Sequence, residues 1–247
     1  MKKTNYSYVG IAFIILVFGI IFVPRIVDAI KDKSIVKSDR LNKPTDNGKA
    51  ATNDLAFIEI NGKARKVPPF GFVDQNGKTI KNTDFEGKVY VVEFFFTTCP
   101  TICPRMNSNL VQIQNSFKDN DDFGIASFTI NPEHDTVEIL KDYARAYGID
   151  HPNWHLMTGE ESQIYKLANE GFNLYTAKDQ DAEGGFEHSG NFALIDKNGF
   201  IRSRKDASGN PIIYYNGMIS EAEKTDEEGQ EEQISILKED IAQLLKE

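Results

Sequence analysis

Cysteine is scarce in this chain of 247 residues: there are two, Cys99 and Cys103, within Thr-Thr-Cys-Pro-Thr-Ile-Cys-Pro. A core of ordinary size therefore has to stand without disulfide staples, and a hydrophobic content of 40% is enough for it. Clustered positive charge is also missing. The formal net charge is -9 and no basic stretch exceeds a few residues, which argues against nucleic acid as a partner because phosphate-backbone binding needs grouped Lys and Arg. Internal repeats and low-complexity tracts are absent as well. The length suits one sizeable domain or two small ones.

Long apolar runs are limited to one. Residues 8–23, YVGIAFIILVFGIIFV, carry no charge, follow Lys2 and Lys3, and stop at Pro24-Arg25. The 16 residues fall between the h-region of a cleaved signal and the roughly 18 or more expected of a spanning helix. Val27-Asp28-Ala29 offers a small-residue cleavage site, but the run is long for an h-region, so residues 1–30 read as an anchor or signal segment, with an uncleaved anchor favoured. Lys2 and Lys3 on one side and Arg25, Lys31, Lys33 and Lys37 on the other leave its orientation open. Polar, charged residues 31–54 read as a flexible linker, and residues 55–247 as the folded domain. An exported domain lies in an oxidising compartment, where two cysteines are ordinarily a disulfide.

Within the domain, Asn76-Gly77 predicts a hairpin over residues 70–82. Residues 88–96, KVYVVEFFF, predict a central strand buried on both faces. Its single charge, Glu93, faces a polar edge or supports the cysteine loop. Met106, Leu110, Ile113 and Phe117 form one helical face, with Pro104 at the first helical position. A strand over 124–130 follows, then a helix to Tyr147 in which Asp135 caps and Glu138 completes a capping box. A short strand at 154–157, a helix over 160–170 and a hairpin of 191–196 with 200–205 come next. Residues 220–232 are strongly acidic and read as a solvated loop, and Ile234, Leu237, Ile241, Leu244 and Leu245 mark a terminal helix over 233–246. This alternation implies an α/β layer structure with covered sheet faces.

If Pro104 opens its helix, Cys103 is the N-cap. The partial positive charge at the helix start then favours a Cys103 thiolate below the free value of ~8.5. The C-x-x-x-C spacing is one residue wider than C-x-x-C, and such a pair can close into a disulfide or chelate one soft ion. Two thiolates alone satisfy neither tetrahedral zinc nor three-coordinate copper, so a metal site needs a third ligand. Four histidines are available. His134, beside a helix cap, and His151, in a turn, read as solvated surface residues. His155 sits in a short strand, where packing or exposure explains it. His188, just before the strand at 191–196, can reach the cysteine loop, and position alone leaves it open between ligand and ordinary residue.

At these residues the chain resembles the Sco family (also called SenC or PrrC) of copper chaperones with thioredoxin-like domains. The resemblance rests on the strand and cysteine loop at 94–104, on Asn131-Pro132-Glu133-His134-Asp135-Thr136, and on His188-Ser189 followed by Leu194-Ile195-Asp196. It covers roughly residues 67–206. The resemblance implies a thioredoxin-like fold with a central mixed sheet flanked by helices. It also implies that Cys99, Cys103 and His188 together bind one copper ion, Cu(I) or Cu(II). Copper, or reducing equivalents, would then be delivered to the dinuclear copper centre of cytochrome c oxidase subunit II. A single anchor in a bacterial cytoplasmic membrane, with the domain on the periplasmic or outer face, is implied too. The copper donor protein and the thiol reductant are not specified by it. The chain departs from the commoner pattern at Thr101, Asn131 and Glu187, where Asp is frequent; Glu187 retains the charge.

Two other readings use the same cysteines. An exported thiol-disulfide oxidoreductase would work without metal, with Cys99 and Cys103 as the catalytic redox pair and Cys99 as the attacking thiol. A structural disulfide would close so short a loop that it restrains little of the unfolded chain. A peroxidase is disfavoured because Thr97-Thr98-Cys99 lacks the Thr-x-x-Cys spacing.

Overall fold

An apolar strand interrupted by one carboxyl, Glu93, has to be covered on both faces, and the architecture follows from what covers it. The computed structural model describes residues 18, 55–60, 62–179, 183–206 and 209–247. The expected anchor and linker, apart from Phe18, lie outside the described residues. Among those described, no helix is long and apolar enough to cross a membrane.

The elements below belong to one unit, Asn53–Glu247. Strand β1 (Ala56–Phe57) precedes a short hairpin of β2 (Glu59–Ile60) and β3 (Lys63–Ala64). A second hairpin, β4 (Gly71–Asp74) and β5 (Thr79–Lys81), leads to β6 (Val89–Phe95), α1 (Ile102–Ser116), β7 (Phe123–Thr129), α2 (Val137–Tyr147) and β8 (Trp154–Thr158). Helix α3 (Glu161–Lys166) continues into a π turn, Leu167–Phe172. Then come β9 (Thr176–Lys178), β10 (Phe186–His188), β11 (Asn191–Ile195), β12 (Ile201–Ser203), β13 (Tyr215–Asn216) and α4 (Ile234–Leu244).

The main sheet runs β1-β12-β11-β6-β7-β8-β4-β5, with β13 also paired to β11. Strands β6, β7 and β8 are parallel, in a register from Val89 opposite Phe123 to Phe95 opposite Thr129 and from Ile125 opposite Trp154. The other pairings are antiparallel. Parallel neighbours need crossovers, and α1 and α2 supply them. The result is the α/β layering that the alternation predicts, with the central mixed sheet and flanking helices that the resemblance implies. Helix α1 buries Cys103, Met106, Leu110 and Ile113 and packs against α2 and α4. The Asn-Gly hairpin forms as expected. Asp74 Oδ1 accepts the N–H groups of Asn76 and Lys78, both at 2.9 Å, and Gly77 takes the left-handed φ of 75° the turn requires.

Two local expectations are corrected. Helix α2 is capped by Thr136, whose hydroxyl accepts the Ile139 N–H at 3.4 Å, rather than by Asp135, whose carboxylate is turned inward. Residues 220–232 are largely exposed but not merely a solvated loop. Glu223 meets Arg105 of α1 at 2.6 Å and Glu221 meets Lys238 of α4 at 2.6 Å, while Asp226 Oδ1 accepts the Glu228 and Gln230 N–H groups. Solvent screens such surface pairs, which bias the path of a loop that the two helices already bracket.

Glu93 is fully buried in β6 opposite Ser127 of β7. The Ser127 hydroxyl donates to Glu93 Oε1 at 2.6 Å and accepts the Trp154 indole N–H at 3.0 Å. Burial, only partly offset by that hydroxyl, raises the carboxyl to about 7. The folded chain thus holds this proton to higher pH than the unfolded one. Its stabilising contribution is full below the unfolded value of ~4.3 and declines as pH rises from there through about 7. Urea unfolding of the reduced protein at about pH 5 and pH 8 should therefore show wild type losing on the order of 2 kcal/mol more than Glu93→Gln over that interval. Parallel losses in the two proteins would contradict the assignment.

Candidate functional site

Strand β6 hands the chain to the cysteines through one tight turn, in which the Cys99 N–H donates to the Phe96 carbonyl at 3.3 Å. Helix α1 then begins at Ile102 with Thr101 as N-cap. Cys103 is therefore the second helical residue and Pro104 the third, which corrects the expected order. The physical reason lies in the capping group. Thr101 makes no side-chain cap, and the Cys103 N–H in the first turn donates instead to the Cys99 sulfur at 3.5 Å, so the helix can start before Pro104.

This exchange reverses the roles of the cysteines. The N–H at the helix start points at Cys99, which also lies 3.9 Å from the Thr101 hydroxyl. Cys103 is 0% exposed against 7% for Cys99. Burial first, and then the neighbouring Cys99, push the Cys103 thiol far up, opposite to the lowering expected for an N-cap.

Three histidines are accounted for elsewhere. His134 is half exposed, with Nδ1 2.8 Å from Asp135, in keeping with a surface position. His151, expected at the surface, is buried: Gln114 of α1 accepts the Asp150 and His151 N–H groups, both at 3.0 Å, and draws the turn inward. Its ring lies edge-on to Phe123 and burial lowers its pKa. His155 is packed in β8, with Nδ1 2.9 Å from Asp74 and an edge-to-face contact with Phe85.

His188 belongs to a strand rather than to the expected loop. In the β9–β10 hairpin it stands opposite Thr176, apart from the main sheet. Asn169 holds the base of this hairpin by accepting the Thr176 N–H at 3.0 Å and donating to the Thr176 carbonyl at 3.1 Å. Lys178 meets Glu161 at 2.6 Å. The other end bears on the cysteine turn: the Phe186 and Phe96 ring centroids are 5.0 Å apart. A Cβ on Gly184, which has φ +80°, would stand 2.8 Å from the Phe96 ring and 3.2 Å from Pro100 Cδ. The His188 side chain lies outside what the structure describes. Among the described residues no group of three or more His, Cys, Asp or Glu could hold a metal ion. Sequence reasoning missed the hairpin; its one local signal is Gly184-Gly185, both with positive φ.

A family model described as SCO1/SenC matches residues 58–222. The chain is 33% identical over 158 residues to a SCO1 protein homolog of Bacillus subtilis, covering 63% of this chain and 80% of that protein. It is 27% identical over 152 residues to a Stutzerimonas stutzeri protein provisionally named as copper-binding, covering 60% and 73%. The solved structure of BsSco superposes with a TM-score of 0.58 at 27% identity, over 73% of this chain and 94% of that one. That protein is described as having a disulfide switch and as a member of the Sco family of cytochrome c oxidase assembly proteins.

The difference in burial sets the order of reaction of the thiols. Iodoacetamide at neutral pH, followed by peptide mass spectrometry, should modify Cys99 at least about ten times faster than Cys103, because attack needs an accessible thiolate. Equal rates, or a faster Cys103, would overturn the assignment of Cys99 as the outer thiol.

Proposed function

Because the chain belongs to the SCO1/SenC family, we propose that it binds one copper ion as cargo through Cys99, Cys103 and His188 in the service of cytochrome c oxidase assembly. Copper, or reducing equivalents, passes from it to the dinuclear copper centre of oxidase subunit II. The observation that carries this reading is the hairpin of His188 packed on the turn of Cys99, through Phe186 on Phe96 and Gly184 against Phe96 and Pro100. Donor chemistry supports it: two thiol sulfurs suit Cu(I), and an imidazole extends the set toward Cu(II). The names of the copper-binding relative and of the oxidase-assembly relative point the same way. Residues 1–30 serve as the membrane anchor and 31–54 as a linker, holding the domain of residues 55–247 on the outer face of the cytoplasmic membrane.

A second reading, thiol-disulfide exchange without metal, is favoured by one contact, the Cys103 N–H on the Cys99 sulfur. It keeps the two residues within reach of a disulfide, with Cys99 placed to attack and the buried Cys103 to resolve. Copper titration of the reduced full-length chain separates the readings. His188→Ala should lower Cu(II) affinity by more than the ~10–100-fold typical of losing an outer-shell partner, and should change the thiolate-to-copper absorption. Unchanged affinity and absorption, with exchange activity on a disulfide substrate retained, would overturn the ligand set in favour of the second reading.

A further inference from the structure

Asp135 is a fully buried carboxylate that the proposed site does not use, and it ties together three segments. Its Oδ2 accepts the Thr97 backbone N–H at 3.0 Å and the Thr129 hydroxyl. Its Oδ1 accepts the Thr97 hydroxyl and lies 2.8 Å from His134 Nδ1. Thr97 is the residue after β6 and its extension, two before Cys99, and Thr129 ends β7. The same corner is closed by the Ile130 N–H on the Phe95 carbonyl at 2.8 Å. Between Thr97 and the cysteine there is only Thr98, and the Cys99 N–H is already fixed on Phe96.

We infer that Asp135 is a positioning residue for the cysteine pair: by gripping Thr97 through both amide and hydroxyl, it fixes the turn that aims the Cys99 sulfur at the first turn of α1. Charge-assisted bonds of this kind are about twice as strong as neutral ones, and a buried carboxylate with several donors has no competing partner in water. A turn held in this way keeps the two sulfurs at high effective concentration and so favours their disulfide. Loosening it shifts the balance toward the dithiol. The inference rests on Cys99 and Cys103 being the working pair, and it is read without metal.

The test is the equilibrium of the metal-free full-length chain with dithiothreitol. The Cys99–Cys103 disulfide takes two electrons and two protons to become two thiols while dithiothreitol is oxidised to its cyclic disulfide. Asp135→Asn should shift this equilibrium toward the dithiol by about ten-fold, and Thr97→Val, which removes the hydroxyl's bond to Asp135 and its 3.4 Å contact with His134 Nδ1 but keeps the amide bond, should shift it several-fold the same way. Thr129→Val removes a bond to the same carboxylate without touching the cysteine turn. It should lower unfolding stability yet move the equilibrium by less than about two-fold. If Asp135→Asn fails to fold, the comparison of Thr97→Val with Thr129→Val decides. Equilibria within about two-fold of wild type for Thr97→Val, or a Thr129→Val shift as large as that of Thr97→Val, would overturn the inference. A wild-type chain that forms no internal disulfide would overturn it together with the working pair. A failed copper titration beside the expected shifts would overturn the copper reading alone.

Discussion

Strand β6 has no solvent edge and no solvent face. It is flanked by β11 and β7, and all seven of its side chains are buried. Its six apolar side chains each contribute about 1.5–3 kcal/mol at most when removed from water, which outweighs the cost of burying Glu93 with one oxygen unpartnered. A one-residue slip of this strand would carry Glu93 to the opposite face, away from the Ser127 hydroxyl that donates to it. The point at which the chain leaves the sheet is therefore fixed, and the cysteine turn starts there.

Three supports converge on that turn from distant parts of the chain. Helix α1 offers its first-turn N–H to Cys99, Asp135 grips Thr97, and the β9–β10 hairpin lays Phe186 on Phe96. The asymmetry of the pair follows: Cys99 lies at the rim, and Cys103 sits behind it, where burial holds its proton tightly. An ion with affinity for sulfur would have to displace that proton, and a nearby helix N-terminus and soft donors lower the cost of doing so.

Periodicity made much of this fold legible. The apolar run around Glu93 gave β6, the spacing of Met106, Leu110 and Ile113 gave the buried face of α1, and Asn76-Gly77 gave the β4–β5 hairpin. The details that failed depend on partners distant in sequence or on unusual ones. A sulfur at Cys99 takes the place of a capping oxygen, so α1 starts two residues before Pro104. Asp135 looks like a cap until Thr97, 38 residues away in sequence, claims it. His151 looks like a turn residue until Gln114 draws the turn inward. The β9–β10 hairpin has three-residue strands, too short for any period to show, and His188 stood out through its resemblance to a family motif rather than through local pattern.

The central claim is a three-ligand copper site made from Cys99 of the turn after β6, Cys103 at the start of α1 and His188 of a separate hairpin. X-ray absorption spectroscopy of the copper-loaded chain, with His188→Ala as reference, tests it most directly. The account predicts two sulfur scatterers and one imidazole scatterer in the wild type, with the imidazole signal lost in the variant. Identical spectra for the two proteins, or a wild-type spectrum without sulfur, would contradict it.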